Sequence, residues 1–144
     1  MKHSLKFAAA ALATLLAYPA IAGERLQLVE HPTKETTVDL GAKSDSVGDL
    51  LTFANPVFDA TNKQQVGTDQ GFCVRVVVGK SWECVWTMIL KDGMITVEGP
   101  FGDSGDSLFV VTGGTGKYAG AKGQMKLHSR PGKPDFYDFS YDLL

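Results

Sequence analysis

The sequence has 144 residues, with 14 Lys and Arg against 16 Asp and Glu and a formal net charge of −2. This length supplies one hydrophobic core, so a two-domain organisation is excluded. The sequence has no basic run. Because binding to nucleic acid depends on clustered cations, we expect no nucleic-acid partner.

The first segment predicts an export signal. Two lysines precede the apolar run 7–18, which is too short to span a bilayer and is followed by small residues at 20 and 22. We expect residues 1–22 to be removed, so that 23–144 form the mature domain, secreted or periplasmic. An uncleaved anchor is the alternative, and no later stretch is long enough to cross a membrane.

The remainder predicts an all-β domain. Short segments rich in β-branched and aromatic residues alternate with turn residues, and no amphipathic repeat is long enough for a helix. Asp92-Gly93 provides the positive φ that a tight hairpin needs, and Gly99-Pro100 predicts the end of the fifth strand. The eight predicted strands are 25–31, 49–58, 70–78, 82–90, 94–98, 107–112, 122–129 and 135–143.

Eight strands of this length can close into an antiparallel β-barrel that has no exposed edge. Side chains alternate between the two faces of a strand. In the last predicted strand Tyr137, Phe139 and Tyr141 share one face, and in the fourth Trp82 and Trp86 do so. The pattern therefore predicts an eight-stranded antiparallel β-barrel with a hydrophobic interior, either hollow or filled by its own side chains.

Two polar residues on apolar faces are the candidate site. Glu30 shares a face of the first strand with two leucines, and Asn55 shares a face of the second with Phe53. Buried polar groups are costly unless paired. In one interpretation Glu30 lies in a pocket with a raised pKa and Asn55 donates an orienting hydrogen bond. In the other, Glu30 turns into solvent and Asn55 marks a bulge or strand end. Glu98 is a weaker third candidate, expected on the solvent side.

The two cysteines, Cys73 and Cys84, flank the predicted hairpin between the third and fourth strands. Exported proteins with two cysteines usually pair them. A symmetric three-residue loop at 79–81 would place the thiols on opposite faces, whereas an even-length loop would place them on one face. The sequence leaves open a disulfide and a free thiol in the pocket.

The sequence lacks the usual motifs of nucleotide, metal and serine-hydrolase chemistry. The glycine-rich tract 113–120 has Lys117 followed by Tyr118, without the Ser or Thr of a phosphate-binding loop, and strand follows it instead of helix. Only two histidines lie beyond the signal, and no Gly-x-Ser-x-Gly segment is present. We therefore expect no metal and no other cofactor.

Four segments, in order and with few gaps over 48–124, resemble the conserved part of plant allene oxide cyclases. They are Gly48–Asn55, Gly71–Val74, Ile95–Pro100 and Thr112–Gln124. The resemblance implies an eight-stranded barrel with a hydrophobic cavity, commonly a homotrimer, and dirigent proteins share this architecture. It also implies a cyclase or isomerase that holds a hydrophobic, oxygen-bearing small molecule in a reactive shape while a carboxylate assists epoxide opening.

By the same resemblance, the carboxylate falls on Glu30, the water-binding asparagine on Asn55 and the cavity cysteine on Cys73. Phe53 and Phe101 would contact the ligand, Phe101 replacing a tyrosine of the family. Since a fold does not fix a function, two other interpretations stay open. The protein would be a dirigent-like or lipocalin-like binder without catalysis, or a structural protein with a filled barrel.

Overall fold

Nine β-strands and one short 3₁₀ turn, Gly116–Tyr118, make up the domain in a computed structural model that describes residues 23–132 and 135–144. The predicted signal, 1–22, lies outside the described residues. Within the described ranges, no helix is long and apolar enough to cross a bilayer. The strands are β1 Glu24–Glu30, β2 Glu35–Val38, β3 Leu50–Asp59, β4 Gln65–Val77, β5 Ser81–Leu90, β6 Gly93–Gly102, β7 Ser107–Gly114, β8 Gly123–Arg130 and β9 Phe136–Leu143.

The predicted eight-stranded antiparallel barrel is confirmed, with one additional strand. Strands β3 to β9 pair in sequence, β9 pairs with β1, and β1 closes the circle by pairing with β3 through Glu30 and Val57. The extra strand β2 pairs with the first half of β3, with Glu35 opposite Phe53. Strand β1 pairs with the end of β3 and β2 pairs with its start. The two strands therefore lie one after the other along the same edge of β3.

The largest differences from the predicted strands are one additional strand, an earlier start of β4 and a later end of β6. Strand β2 was not expected because its four exposed residues show no alternation, and its pairing comes from the free edge of β3. Strand β4 begins at Gln65, five residues earlier than predicted. The predicted stop at Gly99-Pro100 is wrong. Strand β6 continues to Gly102 beside β5, and since β7 pairs with β6 only as far as Glu98, the N–H that Pro100 lacks is not needed there.

The interior is divided by Trp86. Its indole packs edge-on against Phe109, with ring centroids 4.4 Å apart, and lies 5.9 Å from the rings of both Phe53 and Phe139. Directly opposite, β4 has Gly71, where a Cβ atom would come within 2.3 Å of the Trp86 Cβ. Beyond the indole, toward the end of β5, the barrel is filled by fully buried side chains: Met88, Ile95, Met125, Tyr141 and Leu143.

Candidate functional site

A cavity of about 160 Å³ occupies the other half of the interior, at the end of the barrel where β1, β6 and β8 terminate. A dry apolar cavity of about 150 Å³ is large enough for benzene. Pockets for drug-sized ligands are larger, about 300 Å³ or more. The cavity therefore holds one ring, and not a long chain. Its lining consists of Glu30, Glu35, Leu51, Phe53, Cys73, Cys84, Trp86, Phe101, Leu127, Tyr137 and Phe139.

Glu30 is the most deeply placed carboxyl of the lining. It is 5% exposed, so it does not turn into solvent. Asn55 lies behind it, outside the lining, and its Nδ2 donates a hydrogen bond to Glu30 Oε1 at 2.7 Å. The Asn55 Oδ1 accepts the backbone N–H groups of Thr33 and Lys34 at 2.8 and 3.0 Å, which fixes the amide orientation. The irregularity in the β3–β4 pairing lies between Val57 and Phe58, where β4 has one extra residue, and not at Asn55.

The other predicted contacts also lie at the cavity. Phe53 and Phe101 line it, and Cys73 and Cys84 line it as a disulfide, so the free-thiol alternative is wrong. The two cysteines are directly opposite because a β-bulge between Arg75 and Val77 adds one residue to β4 and shifts the hairpin register. Glu98 is exposed on the outer surface of β6, as expected.

A second buried carboxyl, Asp69, was missed by the sequence reasoning. It lies on β4 opposite Asn55, is 1% exposed, and neither of its oxygens accepts a hydrogen bond from the described part of the chain. The alternation of side chains along the strand could have revealed it, since Asp69 shares the inward face with Gly71 and Cys73. Because the strand was predicted to begin at residue 70, Asp69 was assigned to the preceding loop.

Glu30 and Asp69 are tightly coupled. Burial raises the pKa of the Glu30 carboxyl well above its ordinary value, and the negative charge of Asp69 raises it further, while the hydrogen bond from Asn55 opposes the shift. Burial raises the pKa of Asp69 to about 7. Two ionised carboxylates offer each other no donor, so a proton held between them also supplies the hydrogen bond that Asp69 lacks. The pair therefore retains one proton near neutral pH.

Strand β2 brings a third carboxyl to the cavity. Glu35 lines the cavity from an exposed position on β2, and partial desolvation of its carboxyl raises its pKa. Tyr137 also lines the cavity, and its pKa is raised first by burial and then by the charges of Glu35 and Glu30. The Tyr141 hydroxyl is buried without a partner among the described residues, and burial raises its pKa as well. Both phenols thus stay protonated near neutral pH, and each can donate one hydrogen bond.

Arg75 forms the rim of this end. It pairs with Trp82 across β4 and β5, two residues beyond the disulfide, and its guanidinium lies 4.1 Å from the centre of the Trp82 ring. Its Nη1 donates to both oxygens of Asp103 at 2.7 and 2.9 Å, and its Nε lies 2.6 Å from Asp45. The positive charge at the rim is therefore balanced by two carboxylates.

Comparison with known proteins places these features in context. The family model described as allene oxide cyclase matches residues 29–140. Among solved structures, a pyocyanin demethylase is 24% identical with a TM-score of 0.70, over 82% of this chain and 99% of that one. The pterocarpan synthase dirigent protein GePTS1 is 14% identical, with a TM-score of 0.74 over 95% and 96% of the chains. An exo-specific intermolecular Diels–Alderase, AbnU, is 16% identical, with a TM-score of 0.64 over 84% and 98%. These structural likenesses establish the shared fold.

Proposed function

Because the chain belongs to the allene oxide cyclase family, we propose that it is a cyclase or isomerase whose cavity holds the ring of a hydrophobic, oxygen-bearing small molecule. In this proposal Glu30 is the acid that donates a proton to the ligand oxygen. The observation that carries it is a buried carboxyl on the cavity wall, held by Asn55 and coupled to a second buried carboxyl, Asp69.

The raised pKa of Glu30 is what gives it this role. An ordinary surface glutamate is ionised near pH 7 and has no proton to donate. A positioned acid that is still protonated at that pH contributes typically about 10²- to 10⁴-fold to a rate. Asn55, fixed by two backbone N–H groups, keeps the Glu30 carboxyl pointing in one direction. Asp69 would hold the shared proton before it is donated and stabilise the pair afterwards.

The small volume defines which substrates we expect. Only a ring-sized part enters the 160 Å³ cavity, and any longer substituent would extend through the open end. Aromatic walls exclude water from that ring, which protects a reactive intermediate from hydrolysis. The expected reaction is opening of a strained C–O bond: the oxygen takes the proton of Glu30, the C–O bond breaks, and a hydrogen shift or ring closure followed by proton return gives an isomer.

Styrene oxide tests this proposal, since it combines one benzene ring with an epoxide. Its isomerisation to phenylacetaldehyde moves one hydrogen and needs no other reactant. We expect the wild-type protein to convert styrene oxide faster than the uncatalysed rate. The rate should be at least about tenfold lower in Glu30→Gln, which is less than general acids usually contribute. The matched control is Glu98→Gln, which removes an exposed carboxyl of the same size. Equal rates for wild type and Glu30→Gln would remove Glu30 from the chemistry.

The second candidate is a dirigent-like or lipocalin-like binder without catalysis. Two observations favour it over the enzyme: the cavity thiol implied by the family resemblance is consumed in the disulfide, and Phe101 replaces a tyrosine hydroxyl at the cavity. A binder would take up styrene oxide, or its oxygen-free analogue ethylbenzene, at the cavity and release it unchanged. Saturable binding with no phenylacetaldehyde formed would select this candidate.

We also propose that copies of the chain form a homotrimer through the outer face of β4 to β7. Phe72 and Val110 are 49% and 55% exposed there, and register places Val85 and Glu98 between them. Large exposed apolar patches mark interaction sites, and this face contrasts with β8 and β9, where ion pairs such as Arg130 to Asp138 cover the surface. Light scattering should give three times the chain mass, and Val110→Asp should give the monomer mass. A wild-type monomer would contradict this proposal.

Export remains part of the proposal. The disulfide between Cys73 and Cys84 supports it, because such bonds persist mainly in oxidising compartments. The intact mass of protein recovered from the periplasm or medium should correspond to a chain that begins at Gly23. Recovery of only the full-length mass, from the cytoplasm, would contradict it.

A further inference from the structure

The charges that line the cavity have one sign. Glu30 and Glu35 are its two acidic residues, and the described lining contains no lysine, arginine or histidine. The same lining presents five aromatic rings, whose faces carry partial negative charge and attract cations. The five are Phe53, Trp86, Phe101, Tyr137 and Phe139.

Glu35 is the carboxyl most open to a ligand. Unlike Glu30, it has no side-chain hydrogen bond of the kind that Asn55 provides, and no cation of the described chain lies within ion-pair distance of it. It shares the cavity lining with Glu30 and Tyr137, and its charge raises the pKa of both. A cation entering the cavity would therefore meet a carboxylate that has no competing partner in the described structure.

The rim does not offset this negative field. At this end of the barrel the guanidinium of Arg75 is already bound to Asp45 and Asp103 and stacked on Trp82. An incoming carboxylate would find the Arg75 guanidinium occupied and would face the charge of Glu35 in the lining. Like charges in a poorly solvated site repel strongly, so the cavity disfavours anionic ligands.

We propose that the cavity selects a compact aromatic ring that carries positive charge, and that Glu35 is the residue that sets this preference. The proposal rests on the proposed function in one respect, that a ring-sized molecule occupies this cavity. Trp86 offers a further contact: it is 4% exposed, it lines the cavity, and its Nε1–H has no acceptor in the described structure, so an oxygen substituent on the ring can accept it.

Three non-reacting probes of similar size separate charge from shape. N-methylpyridinium carries the positive charge, toluene is its neutral isostere, and benzoate is an anion. Binding is followed at about pH 8, far above the ordinary pKa of a glutamate carboxyl, through the indole N–H signal of Trp86. Trp82→Phe removes the other of the two tryptophans and leaves one signal. We expect N-methylpyridinium to bind at least about tenfold more tightly than toluene, the effect of a desolvated cation–π contact with a carboxylate, and benzoate to be rejected.

Three variants test whether Glu35 causes the preference for the cation. Glu35→Gln should reduce the ratio of N-methylpyridinium to toluene affinity to less than about a third, and Glu35→Asp should retain it. Glu83→Gln, which removes an exposed carboxyl from β5 near the same end of the barrel, should leave the ratio unchanged. Circular dichroism verifies that each variant is folded. If Glu35→Gln is not folded, Glu35→Asp, which keeps the carboxyl, still tests the preference.

Two results would overturn the inference: toluene or benzoate binding as tightly as N-methylpyridinium, or an unchanged ratio in Glu35→Gln. These failures are distinguishable from failure of the proposed function. Conversion of styrene oxide without any preference for the cation would remove only the charge selectivity. If none of the three probes bound and styrene oxide were not converted, occupancy of the cavity, on which both proposals depend, would be refuted.

Discussion

The free energy of unfolding should decrease as the pH rises from about 4.5 to about 7.5. Burial raises the pKa of Asp69 from an ordinary 3.8 to about 7, so the folded state holds a proton that the unfolded state has released. Stability is therefore greatest below the unfolded pKa and is lost as the pH rises through the folded one. One such group changes stability by up to about 1.4 kcal/mol per pH unit, or roughly 3 to 4 kcal/mol over the window.

Urea unfolding at half-unit pH steps measures this decrease. Asp69→Asn and Glu30→Gln should each make the decrease smaller, because either one leaves a single buried carboxyl where the wild-type protein has two. Asp142→Asn, on the outer surface of β9 and outside the proposed trimer face, should leave the profile close to that of the wild type. The carboxyls whose pKa is lowered by hydrogen bonds, such as Asp49 and Asp106, titrate below this window. A wild-type profile that is flat or rises with pH would show that the pair is ionised.

Trp86→Ala should destabilise the protein by about 3 to 5 kcal/mol, the usual cost of removing a large buried aromatic side chain. The indole is 4% exposed and contacts rings from three other strands, those of Phe53, Phe109 and Phe139. It also forms the floor between the filled half of the barrel and the cavity. Its removal should therefore enlarge the cavity as well as weaken the core.

Trp82→Ala is the matched control for this prediction. Trp82 is the only other tryptophan, lies at the rim, and is partly exposed, so its removal should cost clearly less than that of Trp86. Chemical denaturation gives both changes in unfolding free energy. In addition, Trp86→Ala should bind naphthalene, which is too large for the wild-type cavity. Equal destabilisation by the two substitutions, together with no uptake of naphthalene, would refute the dividing role of Trp86.

Much of the barrel was predictable because its strands obey the two-residue period. Tyr137, Phe139 and Tyr141 alternate with polar residues, and in the structure they do line the interior. The failures are local. Strand β2 exists because the start of β3 has a free edge, which is a property of the closed sheet and leaves no pattern in residues 35–38. The prediction that β6 ends at Pro100 was wrong. Pro100 has no backbone N–H, but whether a donor is needed there depends on whether a neighbouring strand still pairs at that position.

The residues of the candidate site were predictable where the pattern within a single strand was enough to show them. Glu30 and Asn55 were found because each interrupts an apolar face, and the structure joins them at 2.7 Å. Asp69 interrupts a face in the same way, but the boundary error at the start of β4 hid it. The disulfide could not be decided because the pairing of Cys73 with Cys84 depends on a bulge, and a single inserted residue reverses the face of every side chain beyond it.

The most direct test of the account is the protonation state of the Glu30 and Asp69 pair. In protein labelled with ¹³C at the glutamate and aspartate carboxyls, at least one carboxyl carbon of the pair should keep its protonated chemical shift at about pH 6, where ordinary carboxyls are ionised. That signal should change in both Glu30→Gln and Asp69→Asn and persist in Glu98→Gln. If every carboxyl in the wild-type protein has titrated by about pH 5, the barrel holds no proton to donate, and the proposed acid does not exist.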